Sequence, residues 1–465
     1  MLRALGGRLA GHLQRWIPEP FVFAIILTLI VAAAALTLTD ADINRVIDDW
    51  YRGFWILLEF GMQMALMLST GFAIALSPPV ARLIDRLALL ARTPGAVYLL
   101  VMVVGGLFGL VSWGWGVLTA VFARELARRV DGIDYAYLAA CVYLSGQTWT
   151  AGLSSSIPLL LNTEGNFLIE TGVLGGTIAI GETLGSLLNA CYVAVYFLCL
   201  PLLMWLMRPH DASARTMAEL AETEHAERGI SVAEEAASRN LTGTTPSDRL
   251  NNSTLLQLVI AGAALWYLVR RFTRNGFDLD LNVMIFVFIA IGLLAHVTPM
   301  RYVVAMKRSC ANISGIIYQY PFYAGIMGIM MFTGLGTLIS NWMSSSATLG
   351  SFPLIAQACG ALLNLAIPSA GGEWAVIGPA LTETAQSLAA GLSPAEIDAY
   401  TARIAMAVAY GETSTNLLQP FFLLIVLPVM GAGVRIEARD LMGYLVVPFV
   451  FVYGTSALLL GLLPV

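Results

Sequence analysis

The feature that most constrains this chain is a series of apolar runs. Each is close to the ~20 residues with which an α-helix crosses ~30 Å of hydrocarbon. The first is Phe21 to Leu38. Others follow near Phe54–Leu76, Gly95–Phe122, Tyr135–Leu161, Thr177–Met207, Leu255–Val269, Leu281–Val297, Ile313–Phe332, Phe352–Ile367, Trp374–Leu388, Ile404–Met430 and Leu441–Leu463. The ten-residue alternation of a membrane β-barrel is absent. Only 12% of the 465 residues are charged, against about 25% in soluble domains. Twenty-five basic and thirty acidic residues cannot cover a soluble enzyme. A formal charge of −5 without a basic stripe excludes a nucleic-acid binder. The fold class is an all-α polytopic membrane protein, with the lipid bilayer as its partner. Cys141, Cys191, Cys199, Cys310 and Cys359 lie in apolar stretches without a CxxC pair, so they are expected to be buried packing residues. Arg3, Arg8 and Arg15 precede a run too long for a signal peptide's apolar region, so an uncleaved first span is expected.

The placement of Arg and Lys predicts topology. The basic N-terminal arm belongs in the cytoplasm, and the loop holding Asp40, Asp42, Asp48 and Asp49 belongs outside. Gly95–Phe122 has Arg82, Arg86 and Arg92 before it and Arg124, Arg128 and Arg129 after it. Two basic flanks predict a re-entrant hairpin with its tip at Ser112–Gly116. In the second half Arg301, Lys307 and Arg308 precede an outward span, while Gly334–Ser351 and Thr382–Ala402 contain no Arg or Lys. That predicts a hairpin entering from outside, with its turn at Pro368–Trp374. Arg435 and Arg439 then return the chain to the cytoplasm, and the C-terminus is expected outside. Against the rule, Arg270, Arg271 and Arg274 fall on the outer side.

A shift of about 257 residues lays Ser112 on Ser369 with the order of segments preserved. Matching order with opposite sense predicts an inverted-repeat transporter of about nine spans, two re-entrant hairpins and two broken helices. Residues 1–53 form the arm and first span, 54–207 the first repeat, 253–312 scaffold spans and 313–465 the second repeat. The polar stretch 208–252, with Glu219, Glu222, Glu224, Glu227, Glu234 and Glu235, reads as an exposed cytoplasmic linker.

Irregular backbone at membrane depth is tolerated where it lines a cavity or binds something. The two tips qualify, as do two Gly- and hydroxyl-rich interruptions ending in Pro, near 145–158 and 411–420. The first tip offers Ser112, Trp113, Gly114 and Trp115, and the first break Thr148, Trp149, Ser154, Ser155 and Ser156. The second tip offers Ser369, Gly371, Gly372 and Trp374, and the second break Thr413, Ser414, Thr415, Asn416 and Gln419. Helix N-termini at such places suit a carboxylate and carbonyl ends suit a cation, which points to Na+ near Ser112, Gly146, Ser369 and Gly411.

Small residues in one span are explained by close helix packing. Four breaks in matching positions favour a binding site. The four tryptophans fit equally an interfacial belt or a wall for a short alkyl chain. Glu373 and Glu412 are intramembrane carboxyls able to carry a proton, whereas Glu59 and Glu182 read as interfacial. Gln63 and Gln319 read as interhelical hydrogen bonders. No HExxH, CxxC or GxxxxGK[ST] occurs, so no enzyme activity, cofactor or ATP drive is expected.

Several segments are similar to the bacterial short-chain fatty acid transporter family. They are Trp16-Ile17-Pro18-Glu19-Pro20-Phe21, Gly53-Phe54-Trp55, Phe60 to Leu66, Phe122-Ala123-Arg124-Glu125, Gln319 to Ile326, Asn364 to Ser369 and Ala409-Tyr410-Gly411-Glu412. The resemblance implies small monocarboxylate substrates such as butyrate and acetoacetate. Through the wider ion-transporter superfamily, with its divalent-anion symporters, it also implies homodimers and elevator-type movement. The tip reads Ala370-Gly371-Gly372-Glu373-Trp374 where the family pattern has Gly-Gly-Gly-His-Trp, and Thr413–Asn416 is more hydroxylated than the family stretch. The expected function is H+- or Na+-driven symport across the bacterial inner membrane. The rivals are a cation/proton exchanger using Glu373 and Glu412, and a membrane-embedded hydrolase using Ser154, Ser155 or Ser156.

Overall fold

In hydrocarbon the backbone must satisfy its own hydrogen bonds, so apolar runs become helices. The computed structural model describes residues 20–209, 215–221, 231–239, 245–310, 313–365, 367–419 and 423–464. The arm with Arg3, Arg8, Arg15 and Trp16, the linker residues Glu222, Glu224 and Glu227, and Pro420 lie outside that set.

The principal helices of the first half are α1 (Pro20–Leu38), α2 (Ile43–Gly53), α3 (Leu58–Ala75), α4 (Pro94–Val111), α5 (Gly116–Arg129), α6 (Tyr135–Gly146) and α7 (Leu187–Met207). The second half holds α8 (Thr254–Asn275), α9 (Leu281–His296), α10 (Ser314–Phe332), α11 (Leu335–Ser346), α12 (Phe352–Asn364), α13 (Ala370–Leu388), α14 (Pro394–Asn416), α15 (Leu423–Met430) and α16 (Ala438–Leu462). Side-chain caps start many of them: Asp42, Thr93, Asp134, Ser253, Asp280, Ser369 and Ser393 each accept a first-turn amide. Among the described residues the sole β feature is an isolated bridge, Ala221 to Val434.

By length and composition, five helices among the described residues can cross a membrane. A sixth is gained if α10 and α11, bent by 69° from each other, count as one. Gly334 turns that corner with φ +81°, a conformation that disfavours any side chain. The chain is a multi-pass membrane protein. Other helices fail the simple test for a physical reason. α14 is 23 residues long but carries Glu396, Asp398, Arg403 and Glu412.

Both tips are hairpin turns. A Cβ on Gly105 would lie 2.6 Å from Thr119 Cγ2, and Phe108 and Trp115 pack edge-on at 5.8 Å, so α4 and α5 face each other across Ser112. Likewise, a Cβ on Gly360 would lie 3.0 Å from Glu373 Oε1 across the turn between α12 and α13.

Four expectations need correction. The stretch 411–416 is not broken: α14 continues to Asn416, and the irregular backbone is Leu417–Gln419. The hydroxyls of Thr413, Ser414 and Thr415 bond back to the carbonyls of Ala409, Tyr410 and Gly411, which keeps the helix intact. The span drawn from Thr177 starts only at Leu187, with Glu182 exposed in a preceding 3₁₀ turn. Gln319 bonds Tyr318 and Tyr323 of its own helix, whereas Gln63 does cross to Asn282 at 3.0 Å. Of the cysteines, Cys199 and Cys310 are exposed: Cys199 lies on an outward apolar face, and Cys310 ends an amphipathic helix on the side of Lys307.

The linker is partly docked. The helix Val232–Ser238 buries Val232 and Ala236 against Val304 and Ala305, and Glu235 pairs with Arg308 at 2.6 Å. Leu220 accepts the amide of Arg435 at 2.8 Å. Arg271 is neutralised by Asp280 at 2.9 Å and Asp278 at 3.8 Å.

Candidate functional site

The chain breaks where its sequence punctuates it. α6 ends at Gly146, a 3₁₀ turn covers Gln147–Ala151, and helix resumes only at Ser156. At the tips Ser112 (φ −157°, ψ 132°) and Ser369 (φ −156°, ψ 110°) share one extended conformation; Ser112 ends α4 and opens the 3₁₀ turn Trp113–Trp115, and Ser369 opens α13.

The first break meets the last turn of α14, just ahead of the second. Thr150 and Thr413 exchange a hydrogen bond through their hydroxyls. Asn416 donates to Gln147 Oε1 at 3.2 Å, and Tyr143 donates to the Asn416 carbonyl at 2.6 Å. Asn364, at the end of α12, donates to the Glu412 carbonyl, Thr415 Oγ1 and Asn416 Oδ1 at 2.9–3.0 Å. Gln419 closes the network on Asn364 Oδ1 (3.2 Å) and Asn416 Oδ1 (2.9 Å). Ser414 is spent on its own helix.

The first tip joins the first break through the Trp113 amide, which donates to Ser154 Oγ at 3.0 Å. The Trp113 and Trp149 rings lie 6.4 Å apart. Trp115 donates to the Gly71 carbonyl of α3 at 2.8 Å, and Gly114 packs on Phe72. Thr148 donates to the Gly106 carbonyl. The second tip leans on α10: Ser369 Oγ lies 3.2 Å from the Tyr320 hydroxyl and accepts the Gly372 amide, while Gly371 and Gly372 abut Tyr320 and Tyr323. Trp374 points into the core and is fully buried, so it lines no open space. Close approach needs glycine at two places. A Cβ on Gly109 would collide with Thr148 and the Gly146 carbonyl, and one on Gly411 with the Gln357 backbone.

Glu373 and Glu412 are fully buried, and none of their four carboxyl oxygens makes a hydrogen bond of normal geometry. Glu412 lies beside Asn416 and the Ala370 amide that begins α13. A buried carboxyl so placed needs a proton or a cation beside it. The buried arginines do not serve: Arg124 bonds the carbonyls of Val429 and Ala432, and Arg403 those of Leu460, Leu463 and Pro464.

Of the four positions read as a cation site, Gly411 does not fit. Its carbonyl accepts the Thr415 hydroxyl inside an intact helix. Ser112 Oγ is buried without a hydrogen-bond partner. Ser155 and Ser156 are buried at the start of a short helix. His296, the sole histidine among the described residues, is bonded to the Ala73 carbonyl and activates no serine.

A cavity of about 30 Å³ bordered by Trp113, Tyr143, Gln147, Trp149 and Val426 holds roughly one water. A larger one of about 650 Å³ lies elsewhere, between Asn162, Arg271, Asp278 and Asn282. Sequence reasoning passed over Tyr143, Asn189, Tyr192, Tyr196, Tyr320 and Asn364. Only Asn364, an amide just before a Gly/Pro turn, carried a readable signal.

Residues 1–463 match the family profile described as short chain fatty acid transporter. An Escherichia coli K12 protein provisionally named a short-chain fatty acid transporter is 37% identical over 452 residues, covering 97% of each chain. One from Haemophilus influenzae with the same provisional name is 34% identical over 457 residues, again covering 97% of each. Among solved structures, the YdaH transporter of Alcanivorax borkumensis superposes with a TM-score of 0.59 at 16% identity, covering 96% of this chain and 98% of that one. MtrF of Neisseria gonorrhoeae, described within a class of antimetabolite efflux pumps, gives 0.54 at 15% identity over 98% and 96%. At such identities the likeness is one of fold.

Proposed function

The chain belongs to the short-chain fatty acid transporter family, and from that premise we propose that it is a secondary symporter for short monocarboxylates such as butyrate and acetoacetate. The observation that carries the reading is the direct bonding of the first break to the last turn of α14, Thr150 to Thr413 and Gln147 to Asn416, beside two buried carboxyls without a hydrogen bond of normal geometry. The substrate carboxylate would be held by neutral donors: hydroxyls, the amides of Gln147, Asn416 and Gln419, and the N-terminal amides of α13. Neutral donors bind an anion without fixing a counter-charge, so release stays possible.

Coupling falls to Glu373 and Glu412. Each admits either a proton or a Na+ ion, and two carboxyls near an incoming anion favour the proton because it removes like-charge repulsion. The cramped cavity supports a site that opens by movement, with the hairpins and breaks sliding as one body against a scaffold that includes α3 and α10. The paired geometry of Ser112 and Ser369 supports an inverted repeat of about nine spans with two re-entrant hairpins. A homodimer in the bacterial inner membrane, N-terminus inside and C-terminus outside, and a link to the divalent-anion symporters complete the proposal.

The test is uptake of radiolabelled butyrate and acetoacetate by proteoliposomes under separately imposed proton and sodium gradients. Uptake driven by one gradient is the expected result; none under either withdraws the substrate claim. The carboxyl pair by itself also fits a cation/proton exchanger, and ion flux without any carboxylate would favour that reading.

A further inference from the structure

Buried polar groups without partners are few in native proteins, and a cluster of them beside a proposed site points to a ligand. Tyr192 and Tyr196 form such a cluster. Both side chains are buried, at 1% and 3% exposure, and neither hydroxyl makes a hydrogen bond of normal geometry. They belong to α7, outside all four irregular stretches.

Local structure aims them. Asn189, Tyr192 and Tyr196 fall at i, i+3 and i+7, on one face of the helix. The turn Val195–Cys199 is π-helical, which widens the helix under Tyr196; such bulges are frequent at functional sites. The face packs on α14. The Tyr192 ring stacks on that of Tyr410 with centroids 3.9 Å apart, and the Tyr410 hydroxyl donates to Asn189 Oδ1 at 3.1 Å. Asn189 in turn donates to the carbonyl of Ala151, the last residue of the first break's 3₁₀ turn, at 3.1 Å. The Tyr192 hydroxyl interacts with those of Tyr196 and Thr413 and is within electrostatic reach of Glu412. Thr413 is the residue that bonds Thr150. The Tyr192 phenol therefore stands where the first break meets the last turn of α14.

Packing explains the rings but not the hydroxyls. Phenylalanine would fill the same space and bury no unpaired donor. We propose that Tyr192 and Tyr196 form a third wall of the site and donate their hydroxyls to the substrate's carboxylate, with Asn189 and Tyr410 as positioning residues. The inference rests on the monocarboxylate reading above and adds residues from an element that reading does not use.

The test uses full-length protein in proteoliposomes carrying Tyr192→Phe, Tyr196→Phe or both. Initial uptake of labelled butyrate is measured against concentration, alongside competition by butyrate and by its neutral isostere butyramide. A hydrogen bond to a charged group predicts that each single change raises the half-saturating concentration about tenfold or more. Maximal rates change less, and the preference for butyrate over butyramide shrinks. If wild type takes up butyrate while both variants, with unchanged melting temperature, keep its half-saturation and preference, the proposal is overturned and the symport reading stands. If one variant does not fold, the other decides by the same criterion. If wild type neither binds nor moves any short monocarboxylate, the underlying reading fails and this inference fails with it.

Discussion

The two hairpin tips share a backbone and differ in chemistry. Ser112 and Ser369 have nearly the same φ and ψ, and each tip leans on one long helix, α3 or α10. Around Ser112 the neighbours are Trp113, Trp115 and Trp149, and the polar contacts are bonds from an amide, an indole or a hydroxyl to neutral oxygens. Around Ser369 sit Glu373 and Glu412, the amide network of Asn364, Asn416 and Gln419, and a tyrosine hydroxyl. One backbone shape at the two serines thus has tryptophans beside one tip and buried carboxyls with amides beside the other. On the proposed reading, a short acid would lie with its tail toward the tryptophans and its head toward the carboxyl side.

The largest expected effect breaks the division at its charged side. Glu412→Gln should abolish gradient-driven butyrate uptake while leaving exchange of labelled for unlabelled butyrate, because only the proton or cation carrier is lost. Full gradient-driven uptake in that variant would place coupling elsewhere. Next comes packing. Gly411→Ala drives a methyl into the Gln357 backbone and should cost about 1–3 kcal/mol, read as thermal stability in detergent. Gly109→Ala should cost less, because its nearest neighbour is the Thr148 side chain and the backbone it meets, the Gly146 carbonyl, lies at 2.8 Å against 2.1 Å for the Gln357 carbonyl.

Smaller still is the contrast between the tip serines. Ser369→Ala removes the cap of α13 and a contact to Tyr320, at about 1 kcal/mol. Ser112→Ala removes a hydroxyl without a partner and should stay within about 0.5 kcal/mol of wild type. Equal losses at both would erase the asymmetry. The smallest effect lies outside the membrane. Hydrogen bonds from Arg239 and Arg308 hold the Glu235 carboxyl below its ordinary value of 4.5. A lowered carboxyl contributes docking above that value and loses it as pH falls through the folded value. Protease cleavage within 231–239 should therefore rise as pH falls below 4.5 and through the lowered folded value, and Arg308→Ala should weaken that dependence.

Much of this was legible before any coordinates. The tips are written in Ser, Gly and Pro, whose backbone preferences act within a few residues, and the first break falls where Gly146 and Pro158 bracket it. The second break was drawn six residues too early, because hydroxyl-rich sequence was read as irregular while those hydroxyls in fact bond their own helix. Tyr192 and Tyr196 left no trace, since in sequence they are two aromatics in an apolar run, and only the crossing with α14 reveals which way they face.

By itself the chain's order of residues determined that it lives in a bilayer as helices, and most of the places where its backbone must yield. Those are consequences of hydrophobic run length and local torsional preference. Tertiary structure alone decided that Thr150 finds Thr413, that Asn364 bonds three residues of α14, and that the Tyr192 face of α7 packs on α14. Such meetings join segments up to 263 residues apart, and they depend on how helices cross rather than on anything a neighbouring residue can specify.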